Sequence, residues 1–289
     1  MSGSSKMIVF RPAAAALVAC QVLAVILVQK ACADPSDLTS RDARERKQTT
    51  EAVEVELPKW KMWLGLNRER ELKLESKSVL RWTNPGTHRV YGDVFVWTLN
   101  GRPEVVMSLF KVWEPPRGMH SEMHSLSPTE VTAERDGSVI WHPAKSGISY
   151  QDLPEAPPPA DVAVRRLQQM RSLAKGFSAE LVDRRVNDQG ERQVLRLLPA
   201  PIFRYQSTDP DVIDGAMFAI VLGTDPEVFL LLEAQRTEKS AIWRYALARM
   251  NDENMIVRYQ DNEVWRVERA KSRQSLPDPY FLSGLPEKH

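Results

Sequence analysis

Hydrophobic and polar residues follow the same pattern in two stretches of the chain. Gly215–Leu232 consists of an apolar run, a turn and a second apolar run, and Gly92–Leu109 has the same order 123 positions earlier. When the comparison is extended back to Leu72, ten of 38 aligned positions are identical, without a gap. Two apolar runs around a turn are typical of a β-hairpin. The repeat therefore predicts a tandem duplication of one β-rich unit.

Turn residues divide each copy into strands. Asn100-Gly101 lies between two β-branched and aromatic runs, and it is a strong hairpin signal because both residues tolerate positive φ. In the second copy, Gly223-Thr224-Asp225 predicts a longer turn. Asp136-Gly137 predicts a further hairpin at the end of the first copy. We therefore expect a first β unit over residues 53–152 and a second over residues 177–270.

Between the two units, the pattern changes to a helical period. Leu153–Ala160 is rich in proline and predicts an extended linker. Ala163, Leu167 and Met170 then recur at three- and four-residue spacing, which predicts an amphipathic helix. The predicted fold is mainly β (α+β): two tandem, duplicated antiparallel units, each a sandwich or a half-barrel, joined over residues 153–176 by a Pro-rich linker and one helix. The pattern does not decide whether the units share one core.

The first 33 residues have the pattern of a signal peptide. Basic residues precede the apolar run Pro12–Val28, and Ala31-Cys32-Ala33 fits the small-x-small cleavage signature. We expect cleavage between Ala33 and Asp34, and export to the periplasm or the extracellular space. Two alternatives stay open, both of which anchor the protein in a membrane through this segment alone. The apolar run is nearly long enough to be an uncleaved anchor, and the residues before Cys20 resemble a lipidation signal.

Two further segments lack apolar periodicity. Residues 34–52 are polar and charged, which predicts a disordered tether between the signal and the folded part. Residues 271–289 contain three prolines and are predicted to be a loose tail.

Removal of the signal segment changes the charge and the cysteine content. Lys6, Arg11 and Lys30 leave with it, so the formal net charge falls from +1 to −2. A dedicated nucleic-acid binder normally carries a basic surplus, so we expect no nucleic-acid partner. Both cysteines, Cys20 and Cys32, are also removed, which predicts a mature protein without disulfides.

One group of residues has the composition of a metal site. His120, Glu122 and His124 alternate along a predicted strand and would project from one face. Two histidines and a carboxylate suit a transition metal with an open coordination position. His142, on a neighbouring predicted strand, is a candidate fourth ligand or base. The alternative is that these residues form the hydrated face of a sheet.

Three glutamates are candidates for acid–base chemistry. Glu104 and Glu227 occupy matching positions after the two hairpin turns, and they would be paired carboxylates if both faced one cleft. The alternative is a structural role in the turns. Glu233 follows an apolar run, where burial would raise its pKa and suit proton transfer; alternatively it marks the point where that strand leaves the core.

Aromatic residues predict packing positions. Trp82 and Trp141 match Tyr205 and Trp265 in the repeat, as core positions of a duplicated unit would. A stacking platform for sugars is the alternative use. The sequence contains no Gly-rich phosphate loop, no Gly-x-Ser-x-Gly elbow and no CxxC or HExxH motif.

Four segments resemble a family of exported planctomycete-type proteins whose function is not known. The resemblance covers most of the mature chain and is carried by Val79–Pro85, Gly101–Glu104, Arg166–Arg171 and Asp214–Glu227. It implies export and a shared fold, and it carries over no catalytic residue.

The sequence alone thus leaves the biochemical function unknown. We expect an exported, non-enzymatic protein that binds or assembles with a protein or glycan of the cell envelope. The alternative is a metal-dependent enzyme that uses one transition metal at His120, Glu122 and His124. Neither the oligomeric state nor the ligand follows from the sequence.

Overall fold

A computed structural model describes residues 35–84, 89–184 and 189–286. The predicted signal peptide, its cleavage site at Ala33 and Asp34, and both cysteines lie outside the described residues. Over these residues the protein is mostly β, with antiparallel sheets and two α-helices.

The first unit begins with helix α1 (Pro35–Glu56) and a short 3-10 turn (Leu57–Lys59). Its strands are β1 (Trp60–Leu64), β2 (Arg70–Glu71), β3 (Lys73–Leu74), β4 (Leu80–Thr83), β5 (Val90–Leu99), β6 (Arg102–Val112), β7 (Gly118–Ser125), β8 (Val131–Arg135) and β9 (Ser138–Trp141).

The second unit contains helix α2 (Ala163–Ala174) and most of the remaining strands. They are β10 (Gln151–Asp152), β11 (Phe177–Asp183), β12 (Glu191–Leu197), β13 (Phe203–Tyr205), β14 (Val212–Leu222), β15 (Asp225–Arg236), β16 (Ala241–Arg249), β17 (Asn254–Tyr259) and β18 (Asn262–Val267). The last strand, β19 (Tyr280–Gly284), returns to the first unit.

The strands of the second unit form one nine-stranded sheet with β10 and β18 at its two edges. Its inner face and α2 enclose an apolar core that includes Met170, Phe177, Phe218 and Trp243. This curved sheet is a half-barrel. In the first unit the strands are divided between a sheet in the order β2-β1-β8-β9 and a sheet in the order β19-β7-β6-β5-β3, with β4 on β5.

Matched positions of the two copies form the same cross-strand pairs. In the first copy, the pairs are Trp82–Gly92, Phe95–Met107 and Thr98–Pro103. In the second copy, the matching pairs are Tyr205–Gly215, Phe218–Leu230 and Val221–Pro226. A register shift precedes the last pair in both hairpins. Because a slip of one residue would turn every apolar side chain to the opposite face, the agreement confirms that Phe95 and Phe218 occupy equivalent, buried places. Common descent of the units remains a prediction.

The correspondence continues at an offset of 124 residues. β8 and β9 pair Ala133 with Trp141, and β17 and β18 pair Val257 with Trp265, each time beside a register shift. The turn between β5 and β6 has positive φ at both Asn100 and Gly101, as the hairpin signal predicts.

Each unit has its own apolar core, and a third core lies between the two units. The outer faces of their long hairpins pack against each other through apolar side chains, among them Val94, Val96, Val106, Met217, Phe229 and Leu231. The contacts at the hairpin turns are reciprocal. The Thr208 N–H donates to the Asn100 carbonyl at 3.0 Å, and the Thr224 hydroxyl donates to the Thr83 carbonyl at 2.7 Å. The sequence had left this arrangement open.

The predicted tether is a helix from Pro35 onward. One face of α1 is buried through Glu45, Thr49, Val53 and Glu56. Its contacts are mostly polar: the Trp113 indole donates to the Thr49 hydroxyl at 3.0 Å, and Glu56 is paired with Arg135. The prediction failed because it looked for an apolar stripe. No helix among the described residues is both long and apolar enough to cross a membrane.

The predicted loose tail contains a strand, β19. β19 pairs antiparallel with β7 and becomes the edge strand of the first unit. Its Tyr280 and Phe281 are 4% and 3% exposed, respectively. The prolines of this segment lie outside the paired residues, which is why the strand can form despite them.

Candidate functional site

The His–Glu–His stretch lies on β7, at the junction between the two units. His120 is half-buried, whereas Glu122 and His124 are buried. His120 stacks on Phe110 with ring centroids 5.2 Å apart, and its Nδ1 lies 3.2 Å from the Gly118 carbonyl. His124 Nδ1 lies 2.8 Å from the Ser125 carbonyl. Because a carbonyl only accepts hydrogen bonds, both rings carry their proton on Nδ1.

Glu122 is held by the C-terminal segment. It accepts a hydrogen bond of 2.5 Å from the Tyr280 hydroxyl. Burial raises the pKa of Glu122 well above its usual range, the hydrogen bond from Tyr280 acts in the opposite direction, and the negative charges of Asp225, Glu227 and Asp252 raise it further. The buried carboxyl therefore keeps its proton to a higher pH than an exposed glutamate does.

The structure does not bring the predicted metal ligands together. In residues 35–84, 89–184 and 189–286, no three His, Cys, Asp or Glu side chains form a group able to hold a metal ion. Residues two apart on a strand are separated by roughly 6.5 Å, whereas ligands of one ion must converge on a point about 2 Å from each. His142 follows β9, which belongs to a different sheet from β7.

Glu104 and Glu227 do not share a cleft. Glu227 is the third residue of β15 and accepts a 2.5 Å hydrogen bond from the Asn251 amide. Glu104 lies beside Glu233, six residues further along β15, which is a separation of about 20 Å along the strand.

Glu233 does not leave the core as predicted, because β15 continues to Arg236 and the side chain is fully buried. Its two oxygens accept hydrogen bonds from Arg102 at 2.9 and 3.1 Å. The hydroxyls of Tyr150 and Tyr205 and the Gln235 amide complete its shell. This saturated carboxylate is structural in character.

Glu104 has a different environment. It lines a cavity of about 170 Å³ together with Arg70, Arg102 and Ser127. Its Oε2 atom is buried and has no hydrogen-bond partner among the described residues. Burial raises the pKa of Glu104 to about 7; the Ser127 hydroxyl and Arg102 act in the opposite direction, and the charge of Glu233 adds to the increase.

A second cavity, which we call the junction cavity, lies where His124 and Tyr280 of the first unit meet the second unit. Its volume is about 280 Å³, and Leu247, Trp265 and Val267 form an apolar wall. Arg249 and Lys271 bring positive charge to it, and Asp278 brings a negative charge.

Arg249 is held in a fixed position in the junction cavity. Arg249 donates to the backbone carbonyls of Asn251, Glu253 and Glu268 at 2.7–3.0 Å, and its guanidinium lies 5.0 Å from the centre of the Tyr280 ring. Burial lowers the pKa of His124 to about 4, so its imidazole is neutral at pH 7 and Nε2 can accept a hydrogen bond.

Sequence reasoning identified His124 but missed Arg249, Lys271 and Tyr280. These residues come from β16, from the segment after β18 and from β19. The sequence feature that pointed to this cavity was the match of Trp265, in its wall, with Trp141. The pairing register confirms that match.

Comparison of the chain with protein-family models, with curated proteins and with solved structures found no match. The resemblance to a planctomycete-type family therefore stays a prediction.

Proposed function

We propose that the protein is an exported, non-enzymatic binding protein of the cell envelope and that its second unit holds the partner. Export is inferred from the N-terminal pattern of basic, apolar and small residues. N-terminal sequencing of the native protein tests it: a start at Asp34 is expected, and a start at Cys20 would make the protein membrane-anchored instead.

The junction cavity is the observation that carries the binding function. It combines an apolar wall with cationic groups and a neutral imidazole acceptor, the combination of a mostly apolar pocket with a few fixed polar groups that is typical of ligand sites. Its volume of about 280 Å³ suits one side chain or one ring of a larger partner. The cations favour a partner with a negative or strongly polar group beside the apolar one.

The arrangement favours binding over catalysis. A general base works best with a pKa near the operating pH, whereas the pKa of His124 lies at about 4. Arg249 is fixed by three carbonyls, which gives a rigid recognition surface of low entropic cost.

The proposal is tested by capture from envelope extract with immobilised wild-type protein and two charge reversals. Lys271→Glu changes the cavity lining, and Lys239→Glu changes an exposed turn between β15 and β16. We expect Lys271→Glu to reduce capture of the partner at least fivefold and Lys239→Glu to leave it unchanged. Equal capture by all three proteins would show that the junction cavity does not hold the partner.

A further inference from the structure

A third cavity lies at the open seam of the second half-barrel. It has a volume of about 270 Å³ and lies between Ser146–Ser149, which precede β10, and the opposite edge strand β18. Its walls include Leu247 and Trp265. We call it the seam cavity. It adjoins the junction cavity, since both are lined by Gly147, Leu247 and Trp265.

The corresponding place in the first unit is filled by an aromatic side chain. Phe281 on β19 is 3% exposed and packs in the same core as Met123 and Trp141. Its ring centroid lies 6.5 Å from that of Trp141. The Trp141 indole N–H donates to the Asp278 carbonyl, on the segment leading into β19, at 2.8 Å.

The hydrogen-bond register identifies the residue that takes the place of Phe281 in the second unit. The Leu285 N–H donates to the Met119 carbonyl, and the Leu153 N–H donates to the Trp243 carbonyl. Met119 and Trp243 correspond at the offset of 124 residues, so Leu285 corresponds to Leu153. Counting back four residues in each segment places Ser149 where the first unit has Phe281.

The other members of the cluster correspond in the same way. Leu247 matches Met123, and Trp265 matches Trp141. Trp141 is fully buried, whereas Trp265 is partly exposed. The seam cavity is therefore the volume that an aromatic ring occupies in the first unit and that Ser149 does not fill.

We propose that the seam cavity receives an aromatic side chain from an extended segment of a partner protein. This inference rests on the proposed binding function and names the chemistry of the partner. The ring would take the place that Phe281 has in the first unit, and the Trp265 indole would donate to a backbone carbonyl of the bound segment. The volume is sufficient, since a cavity of about 150 Å³ already holds benzene.

The test uses N-acetyl-4-fluorophenylalanine amide as the probe, observed by ¹⁹F NMR with the full mature protein. A single ring with one amide group on each side gives an expected Kd of about 1 mM. Ser149→Phe would fill the cavity with the chain's own ring and weaken probe binding at least tenfold. Val194→Phe, on the exposed face of β12 in the middle of the sheet, is the matched control and should bind the probe like the wild type.

A second variant keeps the test decisive if Ser149→Phe does not fold. Trp265→Leu removes the aromatic wall and should also weaken probe binding at least fivefold. Normal binding by either folded variant, or no binding by the wild type at 10-fold the expected Kd, would overturn the inference. Displacement of the probe by free hexose would also overturn it and point to a glycan.

The two proposals can fail separately. If Lys271→Glu abolishes partner capture while Ser149→Phe captures normally, the binding function stands and the aromatic subsite is wrong. If the probe binds as described but no partner depends on Lys271, the subsite stands and the proposed function is wrong.

Discussion

The replacement Glu104→Gln should remove a pH-dependent loss of stability. Glu104 is 6% exposed, and burial raises its pKa from the ordinary 4.5 to about 7. The folded protein therefore holds this proton more tightly than the unfolded chain does. The stabilising contribution is fully present below pH 4.5 and is lost as the pH rises through 7.

The magnitude follows from the size of the pKa difference. A rise from 4.5 to about 7 corresponds to about 3 kcal/mol, at about 1.4 kcal/mol per pKa unit. Solvent in the adjoining cavity reduces this figure, so a value between about 1 and 3 kcal/mol is expected. Gln preserves the shape of the protonated carboxyl and cannot ionise. Relative to the wild type, Glu104→Gln should gain that stability at pH 8 and none at pH 4.5.

The assay is urea unfolding of both proteins at several pH values between 4.5 and 8. Glu191→Gln, which removes an exposed carboxylate on β12, controls for the loss of one negative charge. If the difference in unfolding free energy between Glu104→Gln and the wild type is constant over this range, Glu104 does not have a raised pKa. The same pH dependence in the control would show that the effect does not come from Glu104.

Three further changes have defined outcomes. Phe281→Ala should lower the free energy of unfolding, measured with denaturant, by about 3–5 kcal/mol, because it leaves a cavity in the core of the first unit. The same cavity should be a second site for the aromatic probe. A loss below about 1 kcal/mol would contradict the packing role of Phe281. Tyr280→Phe removes the hydroxyl that donates to Glu122 and should cost about 1–3 kcal/mol, whereas an unchanged midpoint would show that this bond is not formed. Elemental analysis of protein purified without chelators should find less than about a tenth of an equivalent of transition metal, because the side chains of His120, Glu122 and His124 do not converge on one point. One full equivalent of metal would support the alternative of a metal-dependent enzyme.

Local signals predicted the hairpins well. Asn100-Gly101 requires positive φ at two successive residues, and the structure has this conformation. The repeat also predicted the pairing register, because matched apolar residues can face a core only when the register is preserved. These features depend on residues that are close in the sequence.

The failures have physical causes that a hydrophobic pattern does not show. Helix α1 was missed because three of the four residues on its buried face are polar, and their partners, such as Arg89, Trp113 and Arg135, are distant in the sequence. The strand β19 was missed because its partner β7 lies more than 150 residues earlier.

The candidate site was predictable only in part. His124 was identified as a metal-ligand candidate, whereas its position beside the junction cavity depends on how the two units pack. The difference between Ser149 and Phe281 is visible in the sequence, but their equivalence follows only from the hydrogen-bond registers of β10 and β19. A surface that forms between two units can be predicted only when the packing of the units is known.

Site-specific photo-crosslinking in the native envelope tests whether the seam cavity receives an aromatic side chain of a partner protein. A benzophenone amino acid is placed at Val264, in the wall of the seam cavity, and in a separate protein at Val194, on the exposed face of β12. We expect one defined adduct from position 264, its loss when Ser149→Phe is added, and no such adduct from position 194. The same adduct from both positions, or an adduct from 264 that persists with Ser149→Phe, would contradict this expectation.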